Sequence, residues 1–331
     1  MKVTYWTMTP VLLLVLATPA AAAVPQRTPD SYAQAGERVS IAPGRAINLR
    51  CSGKGPRTVV LEAGGNADSS TWFRVQSLLS DKVRVCSYDR AGYGFSDPGP
   101  MPRSLQADVD DLHALLEKAK LKAPLVLVGH SLGSNIVRRY AQQYPSAVTG
   151  LVLVDPPEQG AEGKMPAQWR QDDEVMRKQR NTFLDACAQA AAGGTLGAAD
   201  GPLKACLREP PAWQSPAVAA AIRAYKLKPG YWTTLHSELD ENTAIFAAPV
   251  PPDASFGAMP VVVLSADNDF TGVSDDVRGV LVAARNQTHA RLVAASTRGR
   301  RVDVPGASHE IQLDQPQVVV DAVTSVVSAR P

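Results

Sequence analysis

The sequence predicts an α/β fold: a mostly parallel central sheet flanked by helices and interrupted by one helical insertion. Three observations lead there. Short, fully apolar, β-branched runs recur along the chain, each ended by Gly, Asp or Pro, and such runs mark strands buried on both faces. Amphipathic stretches of helical period alternate with them, which implies right-handed βαβ crossovers. The alternation stops after Asp155 and resumes near Val261.

The elements follow in order. Residues 1–23 begin with Lys2, carry an apolar run at 11–17 and end on four small residues, Ala20 to Ala23, the pattern of a cleaved secretory signal. That run is shorter than the ~20 residues of a membrane-spanning helix, and no later run approaches that length. The expectation is therefore an exported, periplasmic or secreted protein without a stable membrane span. Residues 24–37 are polar, with Pro25 and Pro29, and read as a loose mature N-terminus. Residues 39–51 alternate weakly around Pro43-Gly44, as two antiparallel edge strands would. Buried strands are expected at 58–61, 83–87, 125–128, 151–154 and 261–264, with a further strand at 301–304.

Ser104 caps a helix whose apolar stripe is Leu105, Val109, Leu112, Leu115 and Leu116, a 3.6-residue spacing. His113 falls off that stripe and is expected at the solvated surface. Further helices are expected at 132–144, stopped by Pro145, and at 318–327. Residues 156–258 hold no comparable strand. They are rich in Ala, Gln, charged residues and Pro, with aromatics such as Trp169, Phe183, Trp213, Tyr225, Tyr231, Trp232 and Phe246, and read as a helical cap inserted into the core 38–155 and 259–331.

Composition narrows the function classes. A net charge of +2 favours no polyanionic partner. The cluster Arg298, Arg300, Arg301 reads as a solvated start of a strand, so no nucleic acid is expected. The four cysteines lack any CxxC spacing, which disfavours zinc and thioredoxin-like chemistry. In an exported chain they suggest two disulfides, and proximity favours Cys51–Cys86 and Cys187–Cys206.

Gly129-His130-Ser131-Leu132-Gly133 joins a strand directly to a helix. A G-x-S-x-G turn of this kind lifts a serine Oγ above a sheet, with glycines where side chains would collide. Ser131 then sits at a helix N-terminus, where N–H groups favour developing negative charge. An alcohol needs a base. Of the five histidines, His130 lies inside the turn, and His236 and His289 lie in helix-like segments. His309 follows a sheet strand and a Pro305–Ser308 loop, where functional groups of open α/β sheets collect. A carboxylate must orient it. Asp269 is favoured, then Asp155, then Asp267, each at a strand C-terminus. Leu132 supplies one oxyanion N–H. Gly65 is favoured for the other, with Gly64 and Asn66 as alternatives.

These blocks resemble, in order, those of the α/β-hydrolase superfamily, in its serine esterase and lipase-like branch with a helical cap. They are Val59-Val-Leu-Glu-Ala-Gly-Gly65, Ser87-Tyr-Asp-Arg-Ala-Gly-Tyr-Gly-Phe-Ser-Asp97, the Ser131 turn, Leu151-Val-Leu-Val-Asp155 and His309-Glu-Ile-Gln-Leu-Asp-Gln-Pro316. The resemblance implies an α/β-hydrolase fold, Ser131 as nucleophile, His309 as base and Asp269 as acid. Glu62-Ala63 departs from the family's frequent His-Gly, Ser134 replaces a frequent glycine, and the acid turn lacks its usual glycine. Asp89 and Arg90 are expected to support their loop by ion pairing. The function expected is hydrolysis of a small ester-like substrate through an acyl-enzyme, with no metal and no organic cofactor. The alternatives are amide, lactone or other bond cleavage or perhydrolysis on the same residues, or a non-catalytic binding protein.

Overall fold

The computed structural model describes residues 26–121, 123–251, 254–267, 270 and 272–329. The leader expected at 1–23 therefore lies outside the described residues, as does Asp269. Eight strands form one sheet. They are β1 (Glu37–Ala42), β2 (Arg45–Ser52), β3 (Thr58–Glu62), β4 (Arg84–Tyr88), β5 (Leu125–His130), β6 (Val148–Val154), β7 (Val261–Ala266) and β8 (Gly299–Val304). Their order is β1-β2-β4-β3-β5-β6-β7-β8. The β1–β2 hairpin is antiparallel and joins β4 antiparallel; every other pairing is parallel.

The apolar runs sit where continuous hydrophobicity demands. β3, β5 and β7 are buried at every position, because helices cover both faces of the sheet. One face carries α2 (Leu105–Lys118) and α3 (Leu132–Gln143), and its core includes Leu112, Leu115, Leu127 and Ile136. The other carries α1 (Phe73–Ser80) and α9 (Pro316–Ser328), around Val75, Leu79, Val128 and Val323. Ser104 caps α2 by accepting from the Ala107 N–H. His113 is not simply solvated: its ring stacks on Tyr144 with centroids 4.0 Å apart, because α2 packs against α3.

Between β6 and β7 run α4 (Ala167–Ala192), α5 (Pro216–Lys226) and α6 (Pro229–Ala247). α4 and α6 enclose a small core of their own, with Leu184, Cys187, Tyr231, Trp232 and Leu235. Helix α7 (Asp275–Ala294) follows β7, and the short α8 (Ile311–Asp314) follows β8. Cys51 is bonded to Cys86 across β2 and β4, and Cys187 to Cys206 within the helical segment. Among the described residues, no helix is long and apolar enough to cross a membrane.

Candidate active site

The β5–α3 turn shows why its residue types are required. Ser131 takes φ 49°, ψ −122°, in the positive-φ region that costs a side-chain-bearing residue roughly 1–3 kcal/mol. The turn is held by the Ser131 N–H on Val154 O (3.0 Å) and by the Ser134 hydroxyl on Gly129 O (2.8 Å). A Cβ on Gly129 would meet Gly133 O at 2.4 Å, and one on Gly133 would meet the Glu62 and Ala63 carbonyls at 2.6 Å. Only glycine fits at both places. Ser134, in place of the expected glycine, earns its position by tying the helix start to β5.

His309 lies beside this turn. Its carbonyl accepts from His130 Nε2 at 2.9 Å, and the two rings are 4.7 Å apart. Burial and the neighbouring His309 charge push His130 down to about 3, so it stays neutral and acts as a donor. The His309 Nδ1 meets Asp155 Oδ2 at 2.6 Å. That contact fixes the proton on Nδ1 and leaves Nε2 as the basic nitrogen.

Three acids are candidates for this contact. The carboxylate that meets His309 is that of Asp155, the second choice. Asp267 is exposed beyond β7, and Asp269 lies outside the described residues. Asp155 ends β6 at φ 43°, is 3% exposed, and its Oδ1 accepts from the Ala266 N–H at 3.0 Å. Burial pushes the Asp155 carboxyl up. Its bond to His309 and that imidazole's charge, with the Ala266 N–H and His289, outweigh burial and hold it below the usual carboxylate range. For His309, burial works against the imidazolium, but the hydrogen bond and charge of Asp155, helped by Glu310 and Glu158, raise it above its ordinary 6.5.

His289 is a residue sequence reasoning passed over. It is fully buried on α7, donates from Nε2 to Pro156 O at 2.8 Å and meets Ser265 Oγ through Nδ1 at 3.2 Å. Burial holds it near 4, hence neutral. It clamps the turn after Asp155 to the end of β7. No periodicity or spacing marks it.

The glycine turn after β3 faces the start of α3. A Cβ on Gly64 would lie 2.7 Å from His130 Nδ1 and 3.5 Å from Ser131 Cβ, and one on Gly65 would lie 3.9 Å from Leu132 Cβ. The Asn66 N–H is already used, donating to Glu238 Oε1 at 2.9 Å, so Asn66 leaves the candidate donors. Leu132 opens α3, where an N–H has no intrahelical acceptor.

Arg90 sets the shape of this turn. It donates to Ala63 O (2.7 Å) and Gly64 O (2.8 Å), to Glu62 Oε1 (3.0 Å) and to Glu238 Oε2 (2.8 Å). Arg90, Glu62 and Glu238 are each under 4% exposed. Glu238 comes from α6 and also accepts from Tyr93 Oη at 2.9 Å, so the helical segment reaches into the site's foundation. Burial pushes Glu62 up to about 8 against the pull of Arg90, so at neutral pH Glu238 is the main answer to the guanidinium. Asp89 supports the neighbouring loop by hydrogen bonds rather than an ion pair, accepting from the Ser69 and Phe95 N–H groups and from Asn48 Nδ2.

A cavity of about 260 Å³ opens between α4, α6 and the segment after β6, with Glu158, Met165, Trp169, Leu239 and Phe246 in its wall. Trp232 and Tyr231 do not reach it; they are buried in the helical segment's own core. Trp213 stacks on Phe73 instead.

A family model described as alpha/beta hydrolase fold matches residues 57–316. The chain is 35% identical over 99 residues to uncharacterized protein YqjL of Bacillus subtilis, covering 30% of this chain and 39% of that protein. It is 32% identical over 100 residues to an AB hydrolase superfamily protein of Gibberella zeae, covering 29% and 31% of the two. The matched stretch thus spans well under half of these relatives. Among solved structures, Est816, described as an N-acyl homoserine lactone degrading enzyme, superposes with TM-score 0.58 at 19% identity, over 87% of this chain and 99% of that one. A thermophilic esterase from Thermogutta terrifontis gives 0.56 at 19%, over 89% and 98%. The epoxide hydrolase CorEH gives 0.62 at 16%, over 89% and 99%. The family match runs from the start of β3 to the residues just past His309 and takes in strands β3 to β8 and the strained turn at Ser131: the chain belongs to the alpha/beta hydrolase family.

Proposed function

We propose that the protein is an exported serine hydrolase that cleaves carboxylic esters of small molecules. The observation that carries this reading is the 2.6 Å contact of Asp155 with His309 Nδ1, beside a serine held at positive φ on the strand–helix turn. Ser131 Oγ attacks the ester carbonyl while His309 Nε2 takes its proton. The tetrahedral oxyanion lies against the N–H of Leu132 and that of Gly65 or Gly64. Its collapse breaks the C–O bond, and His309 returns the proton to the departing alkoxide. Water then repeats the sequence on the acyl-enzyme. Asp155 stays ionised throughout, stabilising the imidazolium.

Residues 156–258 serve as a cap; the 260 Å³ cavity lies largely within that segment, with Trp169 and Phe246 in its wall, and neither Ser131 nor His309 lines it. A lactone is a cyclic ester and needs no other machinery, in keeping with the description of Est816. Attack on an epoxide by a carboxylate nucleophile does not suit a turn that holds Ser131. The leader at 1–23 and the two disulfides support export.

The test is fluorophosphonate labelling together with a series of p-nitrophenyl esters of increasing chain length. Wild type is expected to label and to turn over. Ser131→Ala is expected to do neither, with kcat down by about 10⁴-fold or more. Equal labelling of the two proteins would overturn the reading.

A further inference from the structure

A second and larger cavity, about 450 Å³, runs along the flank of α3, and neither Ser131 nor His309 lines it. Asn135, Arg138 and Arg139 of α3 form one wall, with Gln159 beside them. Leu105, Ile245, Phe256 and Leu292 form the apolar side. Arg138 is seven residues beyond Ser131, about 10 Å further along the helix. The site is thus separate from the turn that presents the serine.

Among the described residues, the wall carries two guanidiniums and no acidic side chain. Arg138 is half-buried, and among the described residues its hydrogen-bond partner is Gln159 Oε1, 3.4 Å from both terminal nitrogens. Among the described residues no carboxylate lies within ion-pair distance of it, and loss of solvent alone pulls its pKa down to about 10. A guanidinium stays charged at any working pH. A half-buried guanidinium without an anion has lost part of its solvation, and an anionic group in the cavity would restore it. Asn135, 2% exposed, repeats the pattern: its buried Nδ2 finds no acceptor. A guanidinium without an anion, on a wall that also carries apolar side chains, describes a ligand with one anionic end and one greasy end.

We propose that this cavity binds an amphipathic monocarboxylate, its carboxylate paired bidentately with Arg138 near Asn135 and its apolar body against Ile245, Phe256 and Leu292. A carboxylate matches a single guanidinium fork in both charge and geometry. The volume falls within the ~300–1,000 Å³ of small-molecule sites. Arg139 is exposed at the rim and adds attraction without burial.

The experiment is calorimetric titration of the full chain with sodium octanoate, with octan-1-ol and inorganic phosphate as comparison probes. Octanoate is expected to bind saturably at one site. Arg138→Gln is expected to weaken it about tenfold or more. Ala248→Trp, which fills the cavity from its exposed rim, is expected to abolish binding, and Arg139→Glu to weaken it a few-fold. Octan-1-ol is expected to bind wild type and Arg138→Gln alike. Both rim residues are exposed, so those two variants decide the matter even if Arg138→Gln does not fold. Absence of saturable octanoate binding overturns the proposal. So does unchanged affinity in Ala248→Trp and Arg139→Glu, which would put the ligand elsewhere, the serine site included. Phosphate binding as tightly as octanoate would remove the role of the apolar wall and overturn it equally.

Discussion

Arg90 is buried and Arg138 half-buried, and the fold treats the two guanidiniums in opposite ways. Arg90 has two carboxylates and two carbonyls within 3.0 Å, and its charged form is stabilised despite complete burial. Arg138 has one amide oxygen at 3.4 Å, and its charged form is penalised. The difference lies in what surrounds each. Arg90 is packed among β3, β4 and α6, where any missing partner would be an internal defect. Arg138 borders an empty volume, where the missing partner can come from outside. A compensated buried charge thus builds the turn beneath the serine, and an uncompensated one marks a place to bind.

The largest effect is expected at Arg90. Arg90→Met leaves Glu238 buried without its cation and Glu62 without its donor, and a loss of about 3–5 kcal/mol is expected in urea unfolding. A loss below about 1 kcal/mol would mean that Arg90 is no better compensated than Arg138, and the contrast would fail. Catalytic efficiency should fall with it, since the Ala63 and Gly64 carbonyls lose their anchor.

Glu62 sharpens the same contrast through pH. Its folded value, about 8, stands above its ordinary 4.5, so it contributes stability below about pH 4.5 that is lost as pH rises toward 8. Glu62→Gln removes that titration. Unfolding free energies measured from pH 5 to pH 8 should then be flatter than those of wild type; an unchanged slope would show that Glu62 is ionised throughout.

A smaller change is expected at the base. His309 must be neutral to accept a proton, and its raised value places the rise of kcat/KM above pH 6.5. Glu158 faces it with negative charge. Glu158→Gln should therefore move the rise toward lower pH, read from the pH–rate profile, and a shift to higher pH would contradict the arrangement.

The smallest effect on stability belongs to Arg138. Removing a cation with no anion costs the fold little, so Arg138→Gln should unfold within about 1 kcal/mol of wild type, or be slightly more stable. A loss comparable to that of Arg90→Met would mean that Arg138 is internally paired after all.

Much of the fold could be read along the chain because its signals are local. A run such as 125–130, apolar at nearly every position, can only be a strand covered on both sides, and a glycine on either side of Ser131 can only be a tight turn. His309 was found because it follows a strand and loop. Asp155, the acid that meets it, ranked second because Asp155 and the Asp267–Asp269 turn share one local description: an acid at the end of a parallel strand. Choosing between them depends on which turn lies under the imidazole, 154 residues away from Asp155 in the chain.

The chain by itself determined the alternation of strands and helices, the serine turn and the histidine after β8, since periodicity and steric exclusion act over a few residues. Tertiary structure alone decided that Asp155 meets His309, that His289 clamps the turn behind it, and that Glu238 comes from α6 to Arg90 across 148 residues. It also decided that Arg138 has no such partner among the described residues. Charge compensation is a property of what comes to rest nearby, and neither spacing nor periodicity encodes it.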